Sequence, residues 1–128
     1  MAISYKDLIE WIDREQPNSK CELDYRILAG RSYYAAYYAV RDCHQADEAR
    51  FPNQGTHARL INTLKASNDP HEKKIGHRLQ LCRNNRVDAD YNLEDDFSRS
   101  KFVQTLTKAK DIIKLVESAS QFSVVNES

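Results

Sequence analysis

From Tyr33 to Val40 the chain reads Tyr-Tyr-Ala-Ala-Tyr-Tyr-Ala-Val, eight consecutive apolar or aromatic residues. A helix carrying such a run must be covered on most of its circumference. Ile27, Leu28, Tyr34, Ala35, Tyr38 and Ala39 recur at helical spacing, which predicts a long central helix from about Glu22 to Asp47. Arg31 falls on the same stripe, one turn before Tyr34 and Ala35. The remaining chain must supply the covering layers, and it carries no alternating strand pattern. Its three glycines and three prolines interrupt few helices.

Four further helices are predicted. The first spans about Tyr5 to Glu15, with Ser4 as N-cap, Asp7 three residues on, and Leu8, Trp11 and Ile12 facing inward. After the loop around Pro52 and Gly55, Thr56 is expected to cap a short helix to about Ala66, with His57 in its first turn and Leu60, Ile61 and Leu64 inward. The next runs from about His71 to Asp90, after Pro70. The last is expected from about Glu94 to Ser120, on the stripe Phe102, Leu106, Ala109, Ile113 and Val116. Glu94, Asp95 and Asp96 would then complement its dipole. The expected fold is all-α, an up-and-down bundle of four or five helices over residues 1–120, with a polar tail at 121–128.

Lys plus Arg equals Asp plus Glu at 19 each, so global charge does not mark a nucleic-acid binder. Locally, Lys73, Lys74, Arg78, Arg83 and Arg86 precede the acidic residues Asp88, Asp90, Glu94, Asp95 and Asp96. Such a basic face either grips a phosphate or neutralises the acids beside it. The odd, widely spaced cysteines Cys21, Cys43 and Cys82 suit a reducing, cytoplasmic setting better than a disulfide framework. The four histidines are scattered without metal-ligand spacing, so no metal or cofactor is expected. No signal-peptide run and no membrane-length apolar segment is present in the sequence.

The densest chemistry lies at Leu81-Cys82-Arg83-Asn84-Asn85-Arg86-Val87-Asp88-Ala89-Asp90-Tyr91. Ile75, Leu79, Cys82, Arg86 and Ala89 step by four and three, which places Arg86 on the core-facing stripe. A charge there needs partners, and Asp90 is one turn away. If the second and fourth helices pack side by side, Arg31, Tyr34, Arg86, Asp90 and Tyr91 converge. That group reads either as a register-fixing ion network or as an arginine pocket for phosphate. Arg83 and Asn84 lie off the stripe and are freer to face a ligand. His57 reads as a helix-start residue or as a base.

Two segments resemble the HEPN-domain family. Arg31-Ser32-Tyr33-Tyr34-Ala35 resembles its R-x-YYA helix, and Leu81 through Arg86 to Ala89-Asp90-Tyr91 resembles the R-x-x-ADY ending of a later helix. Gly55-Thr56-His57 is similar to the small-residue-His start of one uncharacterised subgroup. The resemblance covers about residues 5–118. It implies a four- or five-helix bundle, often dimeric, in toxin–antitoxin and phage-defence systems of bacteria and archaea. Many members are metal-independent endoribonucleases that use Arg, a polar residue, three to five residues and then His. Arg83-Asn84 matches the first half of that motif, but Asp88 and Asp90 stand where the His belongs. The resemblance also points to Tyr91 as the counterpart of a tyrosine that a partner nucleotidyltransferase modifies.

Aspartate titrates near pH 3.9 against about 6.5 for histidine, so it is a poor acid at neutral pH, and arginines lower it further. The expected function is therefore a catalytically silent or atypical module that binds RNA, a nucleotide or a partner protein. One alternative is an endoribonuclease toxin using Arg83 and Asn84 with Asp88 or Asp90, assisted by His57. The other is a helical adaptor whose arginines are purely structural. The expected partners are a second copy, RNA, and an antitoxin or nucleotidyltransferase.

Overall fold

The computed structural model describes the backbone of residues 3–127 and the side chains of residues 3–118. Five α-helices form it: α1 (Tyr5–Glu15), α2 (Glu22–Cys43), α3 (Thr56–Lys65), α4 (Pro70–Tyr91) and α5 (Arg99–Glu127). A 3₁₀ turn at Gln16–Asn18 follows α1. No strand occurs among the described residues. The expectation of a polar tail over 121–128 falls largely outside the described side chains, although helical backbone continues to Glu127.

As its apolar run requires, α2 is the central element, packing against α1, α4 and α5 while α3 covers α4. The larger core joins Tyr33, Tyr37 and Val40 of α2 to Leu60 and Leu64 of α3, Ile75, Leu79 and Cys82 of α4, and Ala109 and Ile112 of α5. The smaller joins Ile12, Leu28, Ala29 and Ala89 to Phe97, Phe102 and Leu106. Three sides of α2 are covered, and the line Leu23, Ile27, Arg31, spaced by four, is left open to solvent. Ile27 and Arg31 are thus exposed, contrary to the sequence expectation, and Tyr34 and Tyr38 are only half-buried. Trp11 too lies at the rim, while Ile12 alone of α1 is fully buried.

Helix ends follow local hydrogen bonds. Ser4 and Asp7 form the expected reciprocal cap of α1. Gly55, not Thr56, is the N-cap of α3. Asp69 caps α4, accepting from the His71 amide at 2.9 Å, with Pro70 as the first helical residue. The second helix ends at Cys43, four residues early, because the chain crosses to α3, where the Asp47 amide donates to Thr63 Oγ1 at 2.9 Å. The last begins at Arg99 rather than Glu94. Ser98 Oγ accepts from the Lys101 amide, and the Phe97 amide donates to Glu22 Oε1 at 2.7 Å, tying the preceding turn to α2. Glu94, Asp95 and Asp96 therefore belong to the α4–α5 turn.

Two helices approach at Gly76. A Cβ there would lie 2.8 Å from the Lys65 amide nitrogen and 2.9 Å from Leu64 Cβ, so α3 and α4 touch only because that side chain is absent.

Candidate functional site

On α4, Arg83, Arg86 and Asp90 share a face, since at 100° per residue Asp90 lies roughly 20° from Arg83. Asp88 lies roughly 140° away and turns toward α5. There it pairs with Lys101 Nζ at 2.7 Å and accepts from Asn92 Nδ2 at 2.6 Å. Those bonds, the Lys101 contact first, hold its carboxyl below the ordinary 3.8. Asp88 is thus placed apart from Arg83.

Arg86 is braced on several sides. Its Nη2 donates to the Tyr34 hydroxyl at 3.0 Å, and its Nε lies 2.9 Å from Asp90 Oδ2. The latter is an ion pair without hydrogen-bond alignment, which leaves Nε buried and undonated. The guanidinium carbon lies 5.3 Å from the Tyr34 ring centroid and 5.6 Å from that of Tyr91, which is otherwise exposed. Arg31 joins only through the Tyr34 ring, at 5.4 Å. The group expected around Arg86 does converge, but Arg31 and Asp90 are exposed members of it.

Arg83 is different. Its Nε is buried, with no hydrogen-bond partner among the described residues. No carboxylate pairs with it there, the acids of this segment being held by Arg86 and Lys101. Asn84 is exposed and accepts from Gln80 Nε2 at 3.0 Å.

His57 reaches the same neighbourhood from the first turn of α3. Its ring stacks on Tyr37 at 4.0 Å and meets the edge of Tyr34 at 5.7 Å. Its Nδ1 lies 2.6 Å from the hydroxyl of fully buried Tyr33. Burial first, then the charges of Arg83 and Arg86, hold its pKa below the ordinary 6.5. The imidazole is therefore neutral at physiological pH. Arg59 steadies its approach, donating through Nε to the Phe51 carbonyl at 3.0 Å and through Nη2 to that of Gln54 at 2.9 Å.

A family model of the HEPN domain matches residues 14–122. The chain belongs to the HEPN domain family. No curated protein and no solved structure matches it at a significant level. The HEPN bundle thus supplies the frame on which this face is built, and the sequence resemblance to the family holds over nearly the whole chain.

One arginine that shapes this HEPN site went unread in the sequence. Arg26 is buried at 6% exposure. Its Nη1 donates to the carbonyls of Asp88 and Ala89, both at 3.0 Å, and its Nη2 to those of Asn92 and Asp95. It supplies a donor to the Ala89 carbonyl at the open end of α4 and a second donor to those of Asp88 and Asn92, which also accept from the Asn92 and Asp95 amides. The signal was available: Arg26 stands seven residues before Tyr33, on the same helical face.

The arrangement offers guanidinium and neutral imidazole groups but no free carboxylate, which suits a ligand rich in acceptor oxygens. Among the described residues no cluster of His, Cys, Asp or Glu fits a metal ion, and no helix is long and apolar enough to cross a membrane.

Proposed function

We propose that this HEPN bundle binds RNA through its phosphate backbone, holding the strand rather than cutting it, within a toxin–antitoxin or phage-defence type system. The observation that carries this reading is Arg83, whose guanidinium stands one turn before Arg86 with no carboxylate partner among the described residues. A guanidinium that no carboxylate neutralises is a good partner for a phosphate oxygen, which its planar fork of N–H donors fits. Neither aspartate of the motif supports proton transfer. Asp88 serves Lys101, and Asp90 serves Arg86.

A second reading, a metal-independent endoribonuclease toxin, draws on the neutral His57 beside the two arginines. The test is fluorescence anisotropy with a labelled single-stranded RNA, followed by a denaturing gel. Binding that falls at least tenfold in Arg83→Ala, with the wild-type protein leaving the RNA whole, is the expected result. Cleavage lost in Arg83→Ala selects the nuclease, and binding that ignores Arg83 returns the arginines to a structural role. The same preparation tests for a homodimer by light scattering, where a mass fixed near 14.8 kDa at high concentration contradicts self-association. An antitoxin or nucleotidyltransferase is the protein partner this setting calls for.

A further inference from the structure

His57 and Tyr33 form an isolated polar pair inside an aromatic box. Tyr33 is completely buried, and its hydroxyl has His57 Nδ1, at 2.6 Å, as its hydrogen-bond partner. Burial pushes the phenol pKa well above 10.0, so Tyr33 keeps its proton. That proton needs an acceptor, because a buried donor left unpaired carries the full desolvation penalty. The acceptor at hand is Nδ1. A neutral imidazole whose Nδ1 accepts carries its hydrogen on Nε2. The opposite tautomer would donate from Nδ1 and strand the Tyr33 hydrogen. Stacking on Tyr37 and the edge of Tyr34 fix the ring plane. Arg86 is joined to the same box by its bond to the Tyr34 hydroxyl, 3.0 Å long.

We propose that Tyr33 locks His57 in the Nε2–H tautomer, so that His57 adds a neutral donor to Arg83 and Arg86 and the three hold a phosphate oxygen of RNA. This rests on the reading of the arginine face as an RNA site and deepens it. The consequence is chemical. Removing the ribose 2′-hydroxyl proton requires a lone pair, and His57 presents a hydrogen where that lone pair would be. His57, from the first turn of α3, is thereby a binding group and not a base.

Two measurements test it. Long-range nitrogen–proton correlation spectra of the free protein at pH 7.5 should show Nε2 of His57 as the protonated nitrogen and Nδ1 as the bare one, and the reverse pattern overturns the proposal. In RNA titrations His57→Ala should weaken binding about three- to tenfold, the worth of one hydrogen bond. His57→Gln, which keeps an N–H donor, should recover part of the loss. Affinity unchanged in His57→Ala, with Arg83→Ala defective, overturns the role of His57 and leaves the RNA site standing. RNA cleavage that depends on His57 overturns the proposal by making it a base. If wild-type protein binds no RNA, the site reading falls and the ligand role of His57 with it, whereas the tautomer is still decided by the nitrogen spectra.

Discussion

Arg26 Nη1, on α2, donates to the carbonyl oxygen of Ala89, on α4, at 3.0 Å across the interior of the bundle. The same guanidinium reaches three other carbonyls of the α4 terminus and the turn beyond it. Replacing it with methionine fills part of the volume but takes the side-chain donor from the Ala89 and Asp95 carbonyls, while those of Asp88 and Asn92 keep their backbone amide donors. We expect Arg26→Met to lose roughly 3 kcal/mol. Arg26→Lys should lose nearly as much, because an ammonium lacks the planar fork. Urea denaturation measures both, and a Lys variant as stable as wild type refutes the carbonyl-clamp account.

Two glycines in helix interiors should respond in opposite senses to alanine. At Gly76 the new methyl would meet the Lys65 backbone at 2.8 Å, and overpacking should cost about 1–3 kcal/mol. At Gly30 the nearest atom is Asp90 Oδ1 at 3.5 Å, an ordinary contact. There the gain in helix propensity should stabilise by about 0.4–1 kcal/mol. Thermal melts of the two variants settle it, and equal shifts in one direction defeat the argument.

Asp90 competes with any anion for Arg86. Asp90→Asn should raise affinity for single-stranded RNA by about fivefold at low salt, an effect that fades as salt screens the charge. Anisotropy titrations at increasing potassium chloride give the comparison. An affinity that drops in Asp90→Asn means the carboxylate organises Arg86 for binding instead of blocking it.

Acid should loosen the bundle through its histidines before its carboxylates. Burial lowers His57 and His44 below the ordinary 6.5 in the folded state. The unfolded chain therefore takes up these protons at higher pH than the folded one, and stability must fall as pH falls below 6.5 toward the lowered values. Asp88, whose carboxyl lies below 3.8, adds its own loss only in more acid solution. Urea midpoints between pH 7.5 and 5 should decline, and His57→Phe should flatten that slope. A rising midpoint over this range contradicts the assigned directions.

Much of the fold was legible in the sequence, because helical periodicity is a local property. The first, third and fourth helices begin and end within a residue of expectation. The errors have physical sources. Glu94 to Asp96 look like the acidic first turn of a helix, yet Ser98 makes the capping bond. Arg31 and Arg26 both lie on α2, and only the packing of α1, α4 and α5 decides that Arg26 is enclosed and Arg31 open. Asp88 and Asp90 are two residues apart in sequence and serve opposite sides of α4. His57 was visible as a candidate, but its meeting with Tyr33 joins residues 24 apart in sequence, which no periodicity encodes.

Cys82 sits directly before Arg83, wholly buried, with its thiol pushed up to about 12 by burial, whereas Cys21 and Cys43 are exposed. Thiolate is the reactive species, so an alkylating reagent modifies two cysteines of the closed bundle at once and the third only when the bundle opens. The protein thus carries its own stopwatch for breathing beneath the arginine face. Any ligand that settles there should slow the labelling of Cys82 and leave the other two cysteines untouched in rate.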